Sequence, residues 1–395
     1  MKIESIKLKN YKAFKTLEIN DLPKLVIFIG ANGSGKSTLF DVFGFLSDAL
    51  KNNIKSAIFN RGGFGEVISR GCSGNIEFEI QFRLNIAGIE RLVTYILHVG
   101  VNKNIPYVAR EILRYKRGRY GLPFHFLDFS NGEGYAISNE EDFNKPDEAL
   151  ERENQKLGSP DILAIKGLGQ FEKFKAASAF RNFIENWHIS NFHIADARPS
   201  REVAYSEHLS PTGDDLPLVA QFMMQHHPDI FQSILRKMEK RVPGVSKVDA
   251  DITQDGRVVL KFQDSGFKDP FIARYVSDGT IKMFAYLILL HDPNPHPLLC
   301  IEEPENQLYP SLMQPLLEEF RAYAEKGGQV FITTHSPDLL NGASSEEVYW
   351  LIKKEGYSQA IRASEDNLVN SLYLEGDQLG YLWKEGYFKG ANPNK

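Results

Sequence analysis

The amino-acid sequence predicts an α/β protein in which a P-loop parallel sheet is combined with an antiparallel β subdomain and an inserted helical lid. The apolar run Leu25–Ile29 leads directly into G-A-N-G-S-G-K-S, residues 30–37, and then into a helix-like segment. Several β-rich segments occupy residues 75–129, and helix and strand patterns alternate through the last third of the chain. Such alternation is typical of a parallel sheet covered by helices.

The segment after this apolar strand has the composition of a phosphate-binding loop. Gly30, Gly33 and Gly35 let the backbone bend so that successive N–H groups point at phosphate oxygens, and the following helix adds the positive end of its dipole. Lys36 can reach the β- and γ-phosphates of a nucleotide, and Ser37 can ligate Mg²⁺. The predicted nucleotide-binding residues here are Gly30, Ala31, Asn32, Gly33, Ser34, Gly35, Lys36, Ser37 and Thr38.

Length and composition narrow the classes of protein that fit. A chain of 395 residues exceeds what one hydrophobic core usually fills, so we expect two lobes or a core with a large insertion. The two cysteines cannot form a disulfide framework or a zinc site by themselves. A net charge of −5 argues against a surface that is basic all over. Because there is neither a membrane-length apolar run nor a signal-peptide core, we expect a cytoplasmic protein without membrane partners.

Periodicity predicts the individual elements in chain order. The first part favours an edge strand at 2–8 with a hairpin mate at 17–19, the strand at 25–29, a helix at 36–50, and strands at 76–82, 92–98 and 124–129. The middle favours helices at 170–187, 216–225 and 229–240, a strand at 191–195 and a hairpin at 248–262. The last part favours helices at 278–290 and 311–324 and strands at 297–301, 329–333 and 348–352.

These patterns divide the chain into three parts. We expect an N-terminal lobe with the P-loop and the β subdomain at 1–130, an inserted helical lid at 131–245 and a C-terminal lobe at 246–395. Residues 130–158 are polar and acidic with little periodicity, which predicts a mobile or inserted loop.

A second candidate site begins in the segment Tyr275–Phe284. Ser277, Asp278 and Gly279 stand where a helix is expected to begin, so a hydroxyl and unsatisfied backbone N–H groups are presented together. An N-cap followed by an ordinary amphipathic helix would account for the same residues.

Paired acids follow the apolar strand predicted at 297–301. Desolvation of an unpaired carboxylate costs several kcal/mol, so we expect a bound Mg²⁺ to neutralise Glu302. Glu303 would then polarise a water for attack on a γ-phosphate. The alternative is a charged loop just past the end of the strand.

A histidine follows the next apolar strand, in Val330-Phe-Ile-Thr-Thr-His-Ser-Pro337. A lone histidine is more often structural than functional. His335 lies at the carboxyl end of a strand beside the other site strands, and this position favours a functional role.

With these four segments in this order, the chain resembles the ATP-binding-cassette (ABC) ATPases, and among them the soluble SMC, RecF and OLD-like heads. The resemblance covers about residues 1–75 and 265–355. It identifies Gly30–Thr38 as Walker A, Ser277–Thr280 as the signature, Ile301–Pro304 as Walker B, His335 as the switch histidine, Asn306–Pro310 as the D-loop and Ile6–Phe14 as the strand beside the adenine.

The sequence departs from the family pattern at three points. The signature reads S-D-G-T rather than S-G-G-Q, which weakens the assignment of its phosphate contact. Glu302 stands where the family has aspartate, so the carboxylate extends by one methylene. No glutamine can be assigned to the Q-loop, since Gln81 falls in a predicted strand.

The resemblance implies an ATP- and Mg²⁺-dependent ATPase that pairs head to tail, as a dimer or a higher oligomer. Ser277, Asp278 and Gly279 of one subunit would close over the ATP bound at Lys36 of the other. Hydrolysis assisted by Glu303 and His335, with the metal at Ser37 and Glu302, would release the pair. We expect this cycle to control a separately encoded effector protein in anti-phage or genome defence.

The alternative function is a RecF-like clamp for DNA repair that binds duplex DNA under ATP control. It would use one of two basic clusters, at 110–119 or at 236–241, and would depend steeply on salt. Such clusters are more often ordinary solvated faces. Arg198 and Arg201 follow a predicted strand and suit a phosphate, a partner or an ordinary surface.

Two further functions fit less well. A transporter motor would need a surface that couples to membrane subunits, which the SMC-like motif order disfavours. OLD-type nucleases carry a Toprim domain after the ATPase, and the residues after Leu351 are too few for such a domain, so any nuclease is expected on another chain.

Overall fold

The computed structural model describes residues 2–86, 88–115, 123–138 and 151–391. By internal packing the chain divides into two compact units. Unit 1 consists of the described parts of Met1–Trp187, Ser345–Gly376 and Leu382–Lys395, and unit 2 consists of His188–Ser344 and Asp377–Tyr381. The three-part division at residues 130 and 245 stays a prediction.

The first half of the chain is rich in strands. The strands are β1 (Lys2–Tyr11), β2 (Phe14–Ile19), β3 (Leu25–Ile29), β4 (Ile76–Ile86), β5 (Ile89–Asn102), β6 (Ile105–Tyr115), β7 (Phe124–Ser130), β8 (Glu133–Ile137) and β9 (Arg152–Lys156). The helices are α1 (Lys36–Lys51), α2 (Ile54–Phe59), α3 (Phe64–Val67), α4 (Ala164–Leu168) and α5 (Lys175–Glu185).

The second half mixes helices and strands. The strands are β10 (Trp187–Ser190), β11 (Arg201–Glu202), β12 (Val245–Ile252), β13 (Arg257–Asp264), β14 (Phe271–Ile272), β15 (Leu298–Glu302), β16 (Gln329–Thr333), β17 (Val348–Lys354) and β18 (Tyr357–Arg362). The helices are α6 (Ile194–Ala197), α7 (Leu216–His226), α8 (Pro228–Arg241), α9 (Asp278–Leu290), α10 (Met313–Glu325), α11 (Pro337–Leu340), α12 (Asn367–Leu374) and α13 (Leu379–Lys384).

Unit 1 contains an antiparallel sheet, as the β-rich composition predicts. Its described strands follow the order β2-β1-β4-β5-β6-β7-β8-β9. Strand β4 alternates buried positions with half-buried or exposed ones along its length, which is the pattern of a strand with one face on a core. The stacked rings of Phe82 and Phe180, with centroids 4.5 Å apart, join this face to helix α5.

A second group of strands in unit 1 carries the P-loop. Strand β3 is buried at every position and pairs in parallel with β17, which pairs antiparallel with β18. Asp41 links α1 to β1 and to the segment after α2, because it accepts hydrogen bonds from Tyr11 and Arg61 at 2.7 Å each. Burial alone would raise the pKa of Asp41, but the hydrogen bond from Lys12 and the charge of Arg61 hold it below its usual value.

Unit 2 contains the parallel pair predicted for the last third of the chain. Strands β15 and β16 run in parallel, with Glu302 opposite Thr333 at their carboxyl ends. Strand β10, of which all but the first residue belongs to unit 2, lies beside β15. Helix α9 is buried from Thr280 to Leu290, so it forms the centre of this core. The predicted hairpin at 248–262 is present as β12 and β13.

Three predictions about elements are wrong. Strand β1 is not an edge strand, because it pairs with β2 on one side and β4 on the other. The strand expected at 191–195 lies earlier, at β10, and residues 194–197 form α6 instead. The loop expected at 130–158 contains β8 and β9 at its two ends, while its residues 139–150 lie outside the described residues.

Among the described residues, none of the helices combines the length and the apolar character that crossing a membrane requires.

Candidate functional site

The P-loop in unit 1 is shaped by glycine. Gly30, Gly33 and Gly35 have φ angles of 152°, 75° and 104°, which L side chains rarely adopt. At two of these positions, neighbouring atoms also leave no room for a side chain. A Cβ atom at Gly30 would lie 2.6 Å from the carbonyl oxygen of Leu351, and one at Gly35 would lie 2.6 Å from Oγ of Ser358. The loop therefore requires glycine at these positions for both reasons.

Lys36 lies over the loop that precedes it. It is the first residue of α1 and is 7% exposed. Its Nζ donates to the carbonyl oxygens of Gly30 at 2.8 Å and Ala31 at 3.3 Å. An ammonium group held by two neutral carbonyls can exchange them for phosphate oxygens, which bind it more strongly.

The remaining predicted P-loop residues surround the start of α1. Ser34 is buried, Asn32 and Ser37 are exposed, and Thr38 is half-buried. Ser37 stands in the first turn of α1, where backbone N–H groups have no partner within the helix. Unit 1 thus brings all nine predicted residues, 30–38, into one strand–loop–helix segment.

In unit 2, the signature-like residues form the start of α9. Ser277 is the N-cap of this helix, and its Oγ accepts a hydrogen bond from the N–H of Thr280 at 3.3 Å. The capping role considered from the sequence is therefore present. Ser277 and Asp278 are exposed. Gly279 is required by close packing, since a Cβ there would lie 2.7 Å from the carbonyl oxygen of Gln307.

Arg198 holds the turn that precedes the signature. Its Nη1 donates to the carbonyl oxygens of Ala273 at 3.1 Å and Arg274 at 2.9 Å, and its Nη2 pairs with the carboxylate of Asp278. One guanidinium thus binds the backbone before the helix and the first residue of the helix. The planar fork of arginine is suited to such a multiple contact.

The acidic pair lies at the end of β15, but it is not buried. Glu302 is exposed and Glu303 is half-buried, so the burial expected of these carboxylates is wrong, and the role of Glu302 as a metal ligand stays a prediction. Glu303 has a φ of 43°, a left-handed conformation that is uncommon for a long side chain. Strained backbone of this kind concentrates at functional sites and must be held by its surroundings.

Lys282 on α9 supports the loop after β15. It is 5% exposed, and its Nζ donates to the carbonyl oxygens of Asn306 at 2.7 Å and Glu303 at 3.5 Å. Burial lowers the pKa of Lys282 to about 8, although the charges of Glu305 and Glu303 act in the opposite direction. Asn306 in turn donates to Oε2 of Glu303 at 3.0 Å.

His335 and Glu303 are neighbours in unit 2. Nε2 of His335 lies 3.5 Å from Oε1 of Glu303. The backbone N–H of His335 donates to Oε1 of Glu305 at 2.5 Å, which fixes the loop after β16. Burial raises the pKa of Glu305, against the lowering effect of this hydrogen bond. The structure therefore brings together the two residues that the sequence names as base and switch.

Unit 2 contains a cavity of about 800 Å³ beside the acidic pair. Arg198, Asp278, Lys282, Glu302 and Glu303 all line it. Its volume is in the range of small-molecule sites, and its lining carries charges of both signs.

The predicted site residues fall into one group in each unit. Residues 30–38 lie in unit 1, and Ser277, Asp278, Gly279, Glu302, Glu303 and His335 lie in unit 2. Sequence reasoning left Arg198 without a role and did not identify Lys282 or Glu305. The sequence does contain a signal for Lys282, because it is the one charged residue among the apolar side chains that follow Asp278 in α9.

The two basic clusters are partly neutralised. In α8, Lys237 and Arg241 both bind Glu319, at 2.6 and 2.5 Å. In β6, Arg110 binds Asp128 at 2.7 Å. Lys116, Arg117 and Arg119 lie outside the described residues. Arg201 binds the backbone and carboxylate of Asp214.

Comparison with known proteins gives a family and distant relatives. A family model described as "AAA domain, putative AbiEii toxin, Type IV TA system" matches residues 25–341. The DNA replication and repair proteins RecF of Listeria welshimeri and Listeria innocua are each 29% identical over 146 residues. This match spans 35% of the chain and 39% of each RecF, so it covers well under half of either relative.

Solved structures give the fold. The chain is similar to an SmcHead solved bound to the C-winged helix domain of ScpA, with a TM-score of 0.58, 14% identity and coverage of 94% of this chain and 100% of that one. It is also similar to the Smc head with an extended coiled coil from Pyrococcus furiosus, with a TM-score of 0.50, 13% identity and coverage of 95% and 99%. The predicted α/β head fold is thereby confirmed.

Proposed function

Since the chain belongs to the AAA domain family whose model spans residues 25–341, we propose that it binds ATP with Mg²⁺ and hydrolyses it to ADP and phosphate. The observation that carries this proposal is the P-loop of unit 1. There a buried strand, three glycines at positive φ and a buried lysine at the first position of a helix combine in one segment. This is the backbone geometry that binds nucleotide phosphates.

We assign the individual roles as follows. Lys36 exchanges its two carbonyl partners for the β- and γ-phosphates, and the N–H groups of residues 30–38 bind the remaining oxygens. Ser37 and Glu302 would be the side chains that hold Mg²⁺, and the ion would supply positive charge against the phosphates. Glu303 orients and deprotonates the attacking water, and His335, whose Nε2 lies 3.5 Å from Glu303, responds to the γ-phosphate.

ATP would also join two copies of the chain. Ser277, Asp278 and Gly279 of one copy would bind the nucleotide held by Lys36 of another, in a head-to-tail dimer or a higher oligomer. The exposure of Ser277 and Asp278 at the N-terminus of α9 supports this role, because that end of a helix favours anions. Hydrolysis would remove the shared ligand and let the copies separate.

The ATP cycle would regulate a separately encoded effector. The matching family description names a toxin of a type IV toxin–antitoxin system, which supports a role in anti-phage or genome defence. A regulator that depends on cellular ATP would act in the cytoplasm.

The likeness to RecF supports one alternative, an ATP-gated clamp on duplex DNA. Filter binding of duplex DNA across a range of salt, with and without a non-hydrolysed ATP analogue, separates the two functions. A clamp would bind at low salt only with the analogue and would lose affinity steeply as salt rises. Absence of binding at low salt leaves the effector function.

The test of the main proposal is Glu303→Gln. This variant should lose turnover by at least about a hundredfold, because general-base assistance is removed. It should retain ATP and form a dimer that light scattering detects at saturating ATP and Mg²⁺. Glu318→Gln, an exposed change on α10, is the matched control and should behave as wild type. A Glu303→Gln chain that stays monomeric under these conditions would contradict the proposal.

A further inference from the structure

A cluster of metal-ligating side chains lies in unit 2, separate from the groups described above. His208, Asp292 and His296 offer ligand atoms that all lie within 4.8 Å of one another. One contact within the cluster joins Nδ1 of His208 to Oδ2 of Asp292 at 2.7 Å.

The cluster is built mostly from shielded groups. The side chain of Asp292 is 4% exposed, and the Nε2 atom of His296 is buried. The ring of His296 is close to two other imidazoles, with centroids 5.5 Å from His208 and 5.0 Å from the buried His188. The side chain of His208 is 40% exposed, so it gives an ion a route from solvent.

Backbone contacts hold two of the three ligands. Asp292 accepts the N–H of Asn294 at Oδ1, at 2.8 Å, which leaves Oδ2 directed to His208. The carbonyl oxygen of His296 accepts a hydrogen bond from Tyr323 at 2.9 Å. Supporting contacts of this kind orient metal ligands.

Two imidazoles and one carboxylate form a donor set that suits Zn²⁺. Zinc binds such atoms at about 2.0–2.2 Å in a tetrahedron, which places neighbouring donors about 3.4 Å apart. The ligand atoms lie within 4.8 Å of one another, so binding requires a contraction of up to about 1.4 Å, which we expect from rotation of the half-exposed His208 ring. Mg²⁺ prefers oxygen ligands, so the site would discriminate against the metal that accompanies ATP.

We propose that His208, Asp292 and His296 bind a divalent transition-metal ion, with Zn²⁺ as the chemical fit. Asp292 and His296 lie in the segment that connects α9 to β15, and His208 lies in the segment before α7. The ion links the connection between α9 and β15 to the segment before α7. It thereby stabilises the end of the helix that Ser277 caps and the beginning of the strand that carries Glu302. Its role is structural, and it is independent of nucleotide.

The experiment uses the full chain, treated with a chelator and dialysed, without nucleotide. Calorimetric titration with ZnCl₂ should show one strong site, and titration with CoCl₂ should give the absorption of a tetrahedral complex. His208→Ala and His296→Ala should each weaken Zn²⁺ binding by at least about tenfold. His226→Ala, an exposed histidine on α7, is the control and should bind as wild type.

Circular dichroism of each metal-free variant checks that it is folded. If His296→Ala does not fold, His208→Ala still tests the proposal, because His208 is half-exposed and its replacement should disturb the fold less. Zn²⁺ should also raise the melting temperature of wild type but not of His208→Ala. The proposal is overturned if wild type takes up no Zn²⁺, or if His208→Ala and His226→Ala bind it equally. In either case the cluster is an ordinary histidine–aspartate hydrogen bond.

Discussion

Two loops of the molecule, one after β3 and one after β15, are each covered by a buried lysine. Lys36 donates to the carbonyls of Gly30 and Ala31 in unit 1, and Lys282 donates to the carbonyls of Asn306 and Glu303 in unit 2. Both loops follow a buried strand, and both contain left-handed residues. The same local design therefore occurs once in each unit.

The two loops differ in what maintains their shape. The loop after β3 uses glycine at its positive φ angles, so its conformation is encoded by the backbone itself. The loop after β15 places Glu303 and Gln307 at φ angles of 43° and 67°. These conformations are costly for such residues and depend on side-chain contacts, among them those of Lys282 and Asn306.

This difference decides which substitutions should matter in each loop. In the first loop, the glycines shape the site and Lys36 supplies the charge. In the second, side chains that are distant in sequence position the chemical groups.

The largest effect is expected for Lys36→Ala. Loss of the ammonium group removes charge-assisted hydrogen bonds to two phosphates, each worth about 1.5–3 kcal/mol, so nucleotide affinity should fall by at least about a hundredfold. Calorimetry with a non-hydrolysed ATP analogue and Mg²⁺ measures this. Lys55→Ala, at an exposed position on α2, should leave the affinity unchanged. Equal affinity of Lys36→Ala and wild type would remove the assignment of the P-loop.

A smaller effect is expected for Arg198→Ala, which tests positioning by side chains in unit 2. Without the guanidinium, the turn before Ser277 loses its contacts to Ala273, Arg274 and Asp278. We expect kcat to fall about tenfold with KM changed by less than about twofold, because we assign ground-state binding of the nucleotide to the P-loop.

The control for this change is Arg201→Ala, which removes a nearby arginine bound to Asp214. A double-mutant cycle of Arg198 with Asp278→Ala should be clearly less than additive, because the two side chains pair. Additive losses, or an Arg201→Ala variant with the same kinetics as Arg198→Ala, would show that Arg198 does not act through the signature turn.

The smallest effect is a pH dependence of stability due to Lys282. Its pKa is about 8 in the folded protein and 10.5 ordinarily, so the unfolded state binds more protons between these values. The free energy of unfolding should therefore gain a contribution of about 2 kcal/mol as pH rises from 8 to 10.5. Urea unfolding at pH 7.5 and 9.5 should show this rise in wild type and in Lys240→Met, but not in Lys282→Met. An equal rise in Lys282→Met would exclude a buried ammonium at this position.

Much of the fold was predictable because the relevant patterns are local. Helices α1 and α9 and the strands β15 and β16 agree with the sequence within a residue or two, since each is an apolar run bounded by clear turn or capping signals. Strand β9 was not predictable in this way. Its sequence R-E-N-Q-K has no apolar residue, and it is a strand because it pairs with β8, with Lys156 opposite Glu133.

The candidate site likewise has one part that local sequence patterns predict and one part that they do not. The P-loop lies within nine consecutive residues, so its motif contains its geometry. Arg198 and Asp278 are 80 residues apart, and Glu305 and His335 are 30 residues apart. Such pairs arise from the packing of separate segments, and no local pattern in a single sequence encodes them. The left-handed backbone of Glu303 could not be predicted from the sequence either, because no glycine stands near it to indicate a positive φ.

In the proposed dimer, ATP is bound between the P-loop of one copy and the signature of another. Mixing Lys36→Ala chains with Ser277→Arg chains tests it directly, because each variant alone should lack ATPase activity. In a head-to-tail dimer of the two, one of the two sites combines an intact Lys36 with an intact Ser277. The mixture should therefore recover about a quarter of wild-type turnover, since about half of the dimers are mixed. A mixture that stays as inactive as its components, while wild type turns over under the same conditions, would contradict the account.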